Sequence, residues 1–229
     1  MGLGHSPRIV TDGLVLALDA GNTKSYPGSG STWTDLSGNG NNGTLESGVG
    51  YTADNGGSLT FDGTDDHVTI PANSDFVFGS STDFTIEAWI YITGYQTRNQ
   101  IITSYPGPVA GNWIFWVIEG KLGFYLYGTG SPFNVTWKGS SSIPLNQWSY
   151  VTLTRIGNTW TVFFNGISDR TETTSRSMGN LNPLRIGNYA ESTQYFDGNI
   201  PIVRIYKGKG LTPQEVQQNF NALRGRYGI

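Results

Sequence analysis

The sequence predicts an all-β fold, an antiparallel β-sandwich jelly roll carrying one short C-terminal helix. Three observations support that expectation. Apolar residues recur at a period of two along most of the 229 residues, the signature of half-buried strands. Turn formers are dense, with 32 Gly and 10 Pro punctuating the apolar runs. Charged residues make up only 14%, against about 25% in an ordinary globular chain. The polar surface is therefore supplied by Gly, Ser, Thr and Asn, as in turn-rich β proteins.

Leu14, Leu16 and Leu18 alternate with Val15 and Ala17, a first strand that is apolar on both sides. Leu59-Thr60-Phe61 and Val68-Thr69-Ile70 flank Asp62-Gly63-Thr64-Asp65-Asp66, where Asp-Gly signals a hairpin. In Phe84–Ile92 the residues Phe84, Ile86, Ala88, Ile90 and Ile92 point one way, and Thr85, Glu87, Trp89 and Tyr91 the other. That alternation predicts one buried and one mixed face. Segments 113–118 and 122–127 bracket Glu119-Gly120-Lys121 as a hairpin with a three-residue loop, and 149–156 with 159–165 form a second hairpin across Gly157-Asn158. Strands over 184–187 and 200–206 complete a set of ten or more. Thr212-Pro213-Gln214-Glu215 then reads as a capping box with Pro at the first helical position. Val216, Phe220 and Leu223 fall on one face of that helix, predicted over 212–223 and ended by Gly225. One domain is expected over 13–223, with an N-terminal arm at 1–12 and a tail at 224–229 placed to contact an assembly.

Composition excludes several functions. Fourteen basic and seventeen acidic residues give a net charge of -3 without a Lys/Arg cluster, so there is no electrostatic footprint for nucleic acid. The chain has no cysteine, which removes disulfides, thiolate zinc sites and a cysteine nucleophile. The N-terminal residues lack the pattern of a signal peptide. No apolar run approaches the roughly 20 residues of a membrane span, so no membrane insertion is expected.

Glycoside hydrolysis needs two carboxylates flanking one bond, and no convincing pair stands out. Glu87 is alone on its strand face, Glu119 lacks an acidic partner two residues away, and the histidines are only His5 and His67. His67 beside Asp66 reads as a solvated turn pair. No catalytic residue is therefore expected. Seven of eleven aspartates lie in the first 66 residues, among Asn and Gly turns, a hard-oxygen environment that suits calcium. Asp19, Asp35 and Asn41, with Asp62 as a further contributor, are the candidate ligands; the competing reading is that these side chains cap turns through their own backbone. Seven tryptophans and twelve tyrosines provide flat rings with polar tips that suit stacking on sugar faces. The candidates are Tyr95, Tyr105, Trp113, Tyr125, Tyr127, Trp137, Tyr189 and Tyr195, of which two or three are expected to share one groove.

Several segments together resemble a known family. Leu14-Val15-Leu16-Ala17-Leu18-Asp19, followed by Asp35-Leu36-Ser37-Gly38-Asn39-Gly40-Asn41-Asn42-Gly43, is similar to the opening of the laminin-G-like jelly roll of the concanavalin A-like lectin and glucanase superfamily. Phe84-Thr85-Ile86-Glu87-Ala88-Trp89-Ile90 resembles a following strand of that family, Trp148-Ser149-Tyr150 with Phe163-Phe164-Asn165-Gly166 its central hairpin, and Phe196-Asp197-Gly198 with the Leu211-Thr212-Pro213 helix start its closing segment. The resemblance covers about residues 13 to 222 and implies a concanavalin A-like fold. It adds weight to calcium, which many members carry, and it sets glycan hydrolysis aside, because glucanases of this kind place paired acids at alternating positions on one strand. The opening wording also resembles jelly-roll domains in structural proteins of tailed phages. The function implied is a non-catalytic, surface-exposed binding or assembly module on a virion: a capsid decoration, head fibre or tail adhesin. Its partners would be other virion proteins and host-surface carbohydrate, in a homo-oligomer at the particle surface. The alternatives are a glycan-active hydrolase or lyase of the same fold and a purely structural subunit with no ligand.

Overall fold

A computed structural model describes residues 7–128, 134–189 and 194–229; His5 and the start of the expected arm lie outside them. The described residues form sixteen strands: β1 (Leu14–Asp19), β2 (Thr32–Trp33), β3 (Gly43–Glu46), β4 (Gly50–Thr52), β5 (Ser58–Asp62), β6 (His67–Ile70), β7 (Phe84–Ile92), β8 (Arg98–Ser104), β9 (Trp113–Ile118), β10 (Lys121–Tyr127), β11 (Asn134–Ser142), β12 (Trp148–Ile156), β13 (Thr159–Phe164), β14 (Ile167–Thr173), β15 (Leu184–Ile186) and β16 (Asp197–Lys207). One helix, α1 (Pro213–Leu223), follows them. The first sheet runs β14-β13-β12-β7-β16-β5-β4, with β1 also paired to β16, and the second runs β11-β10-β9-β8-β15-β6-β3-β2. This is the antiparallel jelly-roll sandwich that the periodicity predicts.

The two inner faces enclose one core. Leu16, Leu18, Phe84, Ile86, Ala88, Ile90, Val151, Leu153, Trp160 and Val203 come from the first sheet, and Val68, Ile70, Trp113, Phe115, Phe124, Leu126 and Ile186 from the second. An aromatic contact crosses between the layers, the Phe124 ring lying 5.4 Å from Trp160, and Trp160 in turn is 5.1 Å from Phe84 within the first sheet. At one open side the edge strands are tied together. Asp169 on β14 accepts from the Ser141 amide and hydroxyl on β11, and Arg170 donates to the Lys138 carbonyl. These side-chain ties occupy edges that would otherwise present free backbone groups.

α1 covers the outer face of the first sheet. Val216 and Phe220, two of its expected stripe, are buried against Trp89, Tyr150, Phe163 and Tyr206, with Leu223 partly buried beside them. The capping box forms as expected: the Glu215 amide donates to Thr212 Oγ1 and the Thr212 amide to Glu215 Oε2. The second face of β7, expected to be mixed, is consequently buried as well. Among the described residues, no helix is long and apolar enough to cross a membrane.

Three local expectations are corrected. Residues 62–66 do not close a hairpin, because β5 pairs with β4 and β16 while β6 pairs with β3 and β15. Phe61 and Val68 both enter the core, but from opposite layers, so the Asp-Gly turn carries the chain between sheets. The loop between β9 and β10 has two residues rather than three, since Ile118 opposes Lys121. Glu119 and Gly120 both take positive φ there, the conformation favoured by tight hairpin turns. Finally, residues 224–229 are not a free tail. Tyr227 is buried with its ring 4.2 Å from Trp89, and Arg226 pairs with Asp19 at 2.8 Å while donating to the carbonyls of Asn55, Gly56 and Gly57.

Candidate functional site

With α1 over the first sheet, the outer face of the second sheet carries no helix among the described residues. On β9 the alternation of Trp113–Ile118 buries Trp113, Phe115 and Val117 in the core and turns Ile114, Trp116 and Ile118 outward. Register then brings their neighbours into place: Tyr125 on β10 opposes Ile114, while Arg98 and Gln100 on β8 oppose Ile118 and Trp116. The result is a groove of about 200 Å³ lined by Arg98, Tyr105, Ile114, Trp116, Ile118, Tyr125, Thr136 and Tyr189. Tyr105 also borders a second hollow, of about 250 Å³, with Thr69, Thr103, Pro106, Pro183 and Arg185.

The rings of the groove contact one another. Tyr105 lies 5.9 Å from Tyr125 and 5.4 Å from Tyr189, both edge-on, and Trp116 is 5.8 Å from Tyr125. Trp116 forms the floor, 3% exposed, with the Arg98 guanidinium 4.9 Å above its ring. Gly123 makes room for that floor, because a Cβ there would lie 2.7 Å from Trp116 Nε1 and 2.9 Å from an Ile118 methyl. Burial, and then the neighbouring phenols Tyr125 and Tyr189, push the Tyr105 hydroxyl up to about 12. Burial likewise raises Tyr125. The groove thus presents neutral phenols, both donors and acceptors, around apolar ring surface. Trp116 Nε1, Arg98 Nε, Thr69 Oγ1 and both amide atoms of Gln100 are buried without a hydrogen-bond partner among the described residues, whereas such groups are normally satisfied.

Three of the eight expected aromatics, Tyr105, Tyr125 and Tyr189, therefore meet in one groove. The other five do not join them. Trp113 is fully buried in the core and cannot stack on a ligand, and Trp137, partly buried, packs 5.8 Å from Phe124 and 5.4 Å from Trp160, away from the groove. Tyr127 lines a separate hollow of about 290 Å³ with Ala110, Gly111 and Asn180. Tyr95 is 48% exposed and donates to the Ile143 carbonyl. Tyr195 is half-buried ahead of β16 and is not among the residues lining the groove. Trp116, Arg98 and Arg185 escaped the sequence reading. The available signal was β9 itself, whose outward set is apolar although no helix segment is left to cover it.

The expected calcium ligands are occupied otherwise. Asp35 Oδ1 accepts from the amides of Ala17 and Ser37, and Oδ2 accepts from the Ser37 hydroxyl and the Asn41 amide. Asn41 donates to Val15 O and Asp75 and accepts from Asn73. Asp19 accepts from the Gly21 amide and from Arg226. A calcium ion needs about six to eight oxygens, and these three side chains instead organise the β1–β3 loops, so they do not fit one. Asp62 stands apart, with Asp65 and Asp66: among the described residues this is the one acidic trio whose oxygens lie within 4.8 Å of one another. Asp66 there accepts from the Asp62 amide, and Asp62 from the Thr64 amide.

The acid and histidine candidates also have structural work. Glu87 has no exposed surface. Arg204 Nη1 donates to its Oε1 at 2.8 Å, and Asn219 and the Tyr150 hydroxyl donate to Oε2. Burial, then the Glu87 charge, push Tyr150 well above the ordinary phenol value. Burial works against the Arg204 charge, yet Glu87, Tyr206 and Tyr150 hold it above the ordinary arginine value. Sealed beneath α1, Glu87 cannot reach a substrate. His67 is buried rather than solvated, with Nδ1 2.9 Å from the Asp65 carbonyl and Nε2 3.2 Å from Glu46. Glu119 is exposed in its turn and pairs with Lys138.

Residues 62–217 match the Laminin_G_3 family model. The chain belongs to the concanavalin A-like lectin/glucanases superfamily. No curated protein sequence matches it at a significant level. Among solved structures, this superfamily member is similar to the binding domain of Paraclostridial Mosquitocidal Protein 1, with a TM-score of 0.73 and 18% identity over 93% of this chain and 52% of that one. It is similar to domain 4 of AbnA, a GH43 extracellular arabinanase from Geobacillus stearothermophilus solved with arabinotriose: TM-score 0.69 and 18% identity over 90% and 97% of the two chains. The botulinum neurotoxin serotype G binding domain matches at TM-score 0.69 and 16% identity over 90% and 50%. The chain spans about half the length of these toxin binding domains. At such identities the likeness is one of fold.

Proposed function

We propose that this protein is a non-catalytic binding module that takes carbohydrate on the outer face of its second sheet. The observation that carries the reading is the groove itself. Trp116 and Ile114 form an apolar floor, three neutral tyrosines ring it, and unpartnered polar groups sit among them. Such a mixture suits a sugar, whose faces are apolar and whose rim carries hydroxyls. Neighbouring folds support it: one is a toxin binding domain and another was solved holding arabinotriose. The resemblance of the opening segment to tailed-phage structural domains supports a place on a virion exterior, where a homo-oligomeric module of this kind would serve attachment to host glycans.

A printed glycan array, followed by tryptophan-fluorescence titration of the strongest ligand, tests the binding reading. Tyr125→Ala should weaken binding roughly tenfold or more by removing ring contact, while Tyr95→Ala, outside the groove, should not. Binding that survives Tyr125→Ala but fails in Tyr95→Ala would move the site away from this groove. No glycan binding by the folded protein would remove the carbohydrate reading altogether.

A further inference from the structure

We infer that the ligand of this groove is an acidic oligosaccharide whose negative groups are held by Arg98 and Arg185; the inference rests on the carbohydrate reading above and adds the ligand's charge. The protein as a whole is acidic, with a net charge of -3. Its groove is not. The described residues lining the two adjoining hollows include Arg98 and Arg185 and no carboxylate. Neither arginine forms an ion pair among the described residues, whereas other basic side chains do: Lys138 with Glu119, Arg170 with Glu172, Arg204 with Glu87, Lys209 with Glu215 and Arg226 with Asp19. The glutamates of the second sheet and its β9–β10 turn, Glu46 and Glu119, are already taken up by His67 and Lys138. Tyr105, pushed up to about 12, and Tyr125, raised by burial, add no negative charge near neutral pH.

A half-buried guanidinium without a counter-charge is costly unless something supplies one. Arg98 is also held in place. Its plane lies over Trp116 and its Nε is buried, so the fork is oriented before any ligand arrives, as bidentate recognition of a carboxylate or sulfate requires. Arg185 opposes Thr103 on β8, five residues beyond Arg98. At about 3.3 Å per residue the two backbone positions stand roughly 16 Å apart along the strand, and Tyr105 borders both hollows. That spacing fits acid groups repeated along a saccharide chain rather than a single anion.

The test is calorimetric titration of the whole protein with trigalacturonate and a heparin hexasaccharide, each against a neutral counterpart, galactotriose and maltohexaose. At least one acidic ligand should bind about tenfold or more tightly than its neutral counterpart, with the advantage shrinking as salt rises. Arg98→Gln and Arg185→Gln should each cut that acidic-over-neutral ratio by about tenfold, while the charge-matched surface change Lys24→Gln should not. Equal affinity for acidic and neutral ligands would overturn the charge assignment and leave the carbohydrate function standing. Failure of all four sugars would overturn both. A hexaglutamate peptide that binds as tightly as the best sugar, and is lost in the same variants, would overturn the saccharide in favour of an acidic protein segment.

Discussion

Glu87→Gln probes the interior beneath α1 most directly. The Glu87 side chain has no exposed surface and Arg204 is only 4% exposed. The carboxylate accepts from Arg204, Asn219 and Tyr150 at once. Glutamine removes the charge and converts one of the two acceptor atoms into a donor, so Arg204 loses its counter-charge and one existing donor is left facing another. Removing one partner of a buried pair costs about 3–5 kcal/mol. For a domain of this size each kcal/mol moves Tm by about 2–4 °C, so the variant should melt roughly 6–20 °C lower. Differential scanning calorimetry at neutral pH reads the change. The double variant Glu87→Leu/Arg204→Met should recover part of the loss: it removes the unmatched charge, but leaves the Tyr150 hydroxyl and an Asn219 donor without their acceptor. Ligand binding below the melting range should be unchanged. A drop of under about 2 °C would refute the reasoning, since Arg204 would then be solvated rather than matched. A double variant as unstable as the single one would assign the loss to the Tyr150 and Asn219 hydrogen bonds and to shape instead of charge.

Two further predictions concern the helix cap and the metal. Burial pushes the Glu215 carboxyl up, but hydrogen bonds from Lys209 and from the Thr212 amide and hydroxyl outweigh it and hold it below the ordinary value of 4.5. A depressed acid stabilises the fold above its unfolded pKa, and this contribution is lost as pH falls through the lowered folded value. Urea unfolding should therefore show Glu215→Gln less stable than wild type at pH 7, with the two curves converging in acid below about pH 4; a constant gap across that range would contradict the assignment. Calcium or chelator should leave Tm within about 1 °C, because the oxygens of Asp35 and Asn41 are engaged and Asp19 is paired with Arg226. A calcium-dependent rise lost in Asp65→Asn would place an ion in the 62–66 turn instead.

Much of this architecture was legible because its signals are local. The alternation in Phe84–Ile92 needs only the period of a strand, and Thr212 with Glu215 needs only three residues of spacing. What depends on pairing was not legible. Asp62-Gly63 marks a turn correctly but does not say that Phe61 and Val68 belong to different sheets. The polar, very short or Gly-containing strands β2, β3, β4, β8 and β14 carry little alternation of their own and are defined by their neighbours. The groove was half legible for the same reason. Tyrosines that suit a sugar can be chosen by chemistry, and alternation along β9 sets Trp113 and Trp116 on opposite faces, but only register brings Tyr125 opposite Ile114 and only the layering says which face is outward. Asp35 shows a different limit: a carboxylate among Asn and Gly reads alike as a metal ligand or a turn cap, and its backbone amide donors, Ala17, Ser37 and Asn41, come into view only in the fold.

The covering of one sheet and not the other also gives the molecule a direction. Val10 is fastened to the α1 side, its amide donating to Asn219 and its carbonyl accepting from Tyr206, and Tyr227 packs into that same side against Trp89 and Trp148. The chain therefore passes through both of these anchor points at the back of the sandwich, opposite the groove. Whatever holds the protein near either point, whether a neighbouring subunit or a solid support, leaves the tyrosine-ringed face turned outward. Copies fixed side by side would point their grooves in parallel, and individually weak contacts with a repeating polymer would then add up as avidity without any new surface being made.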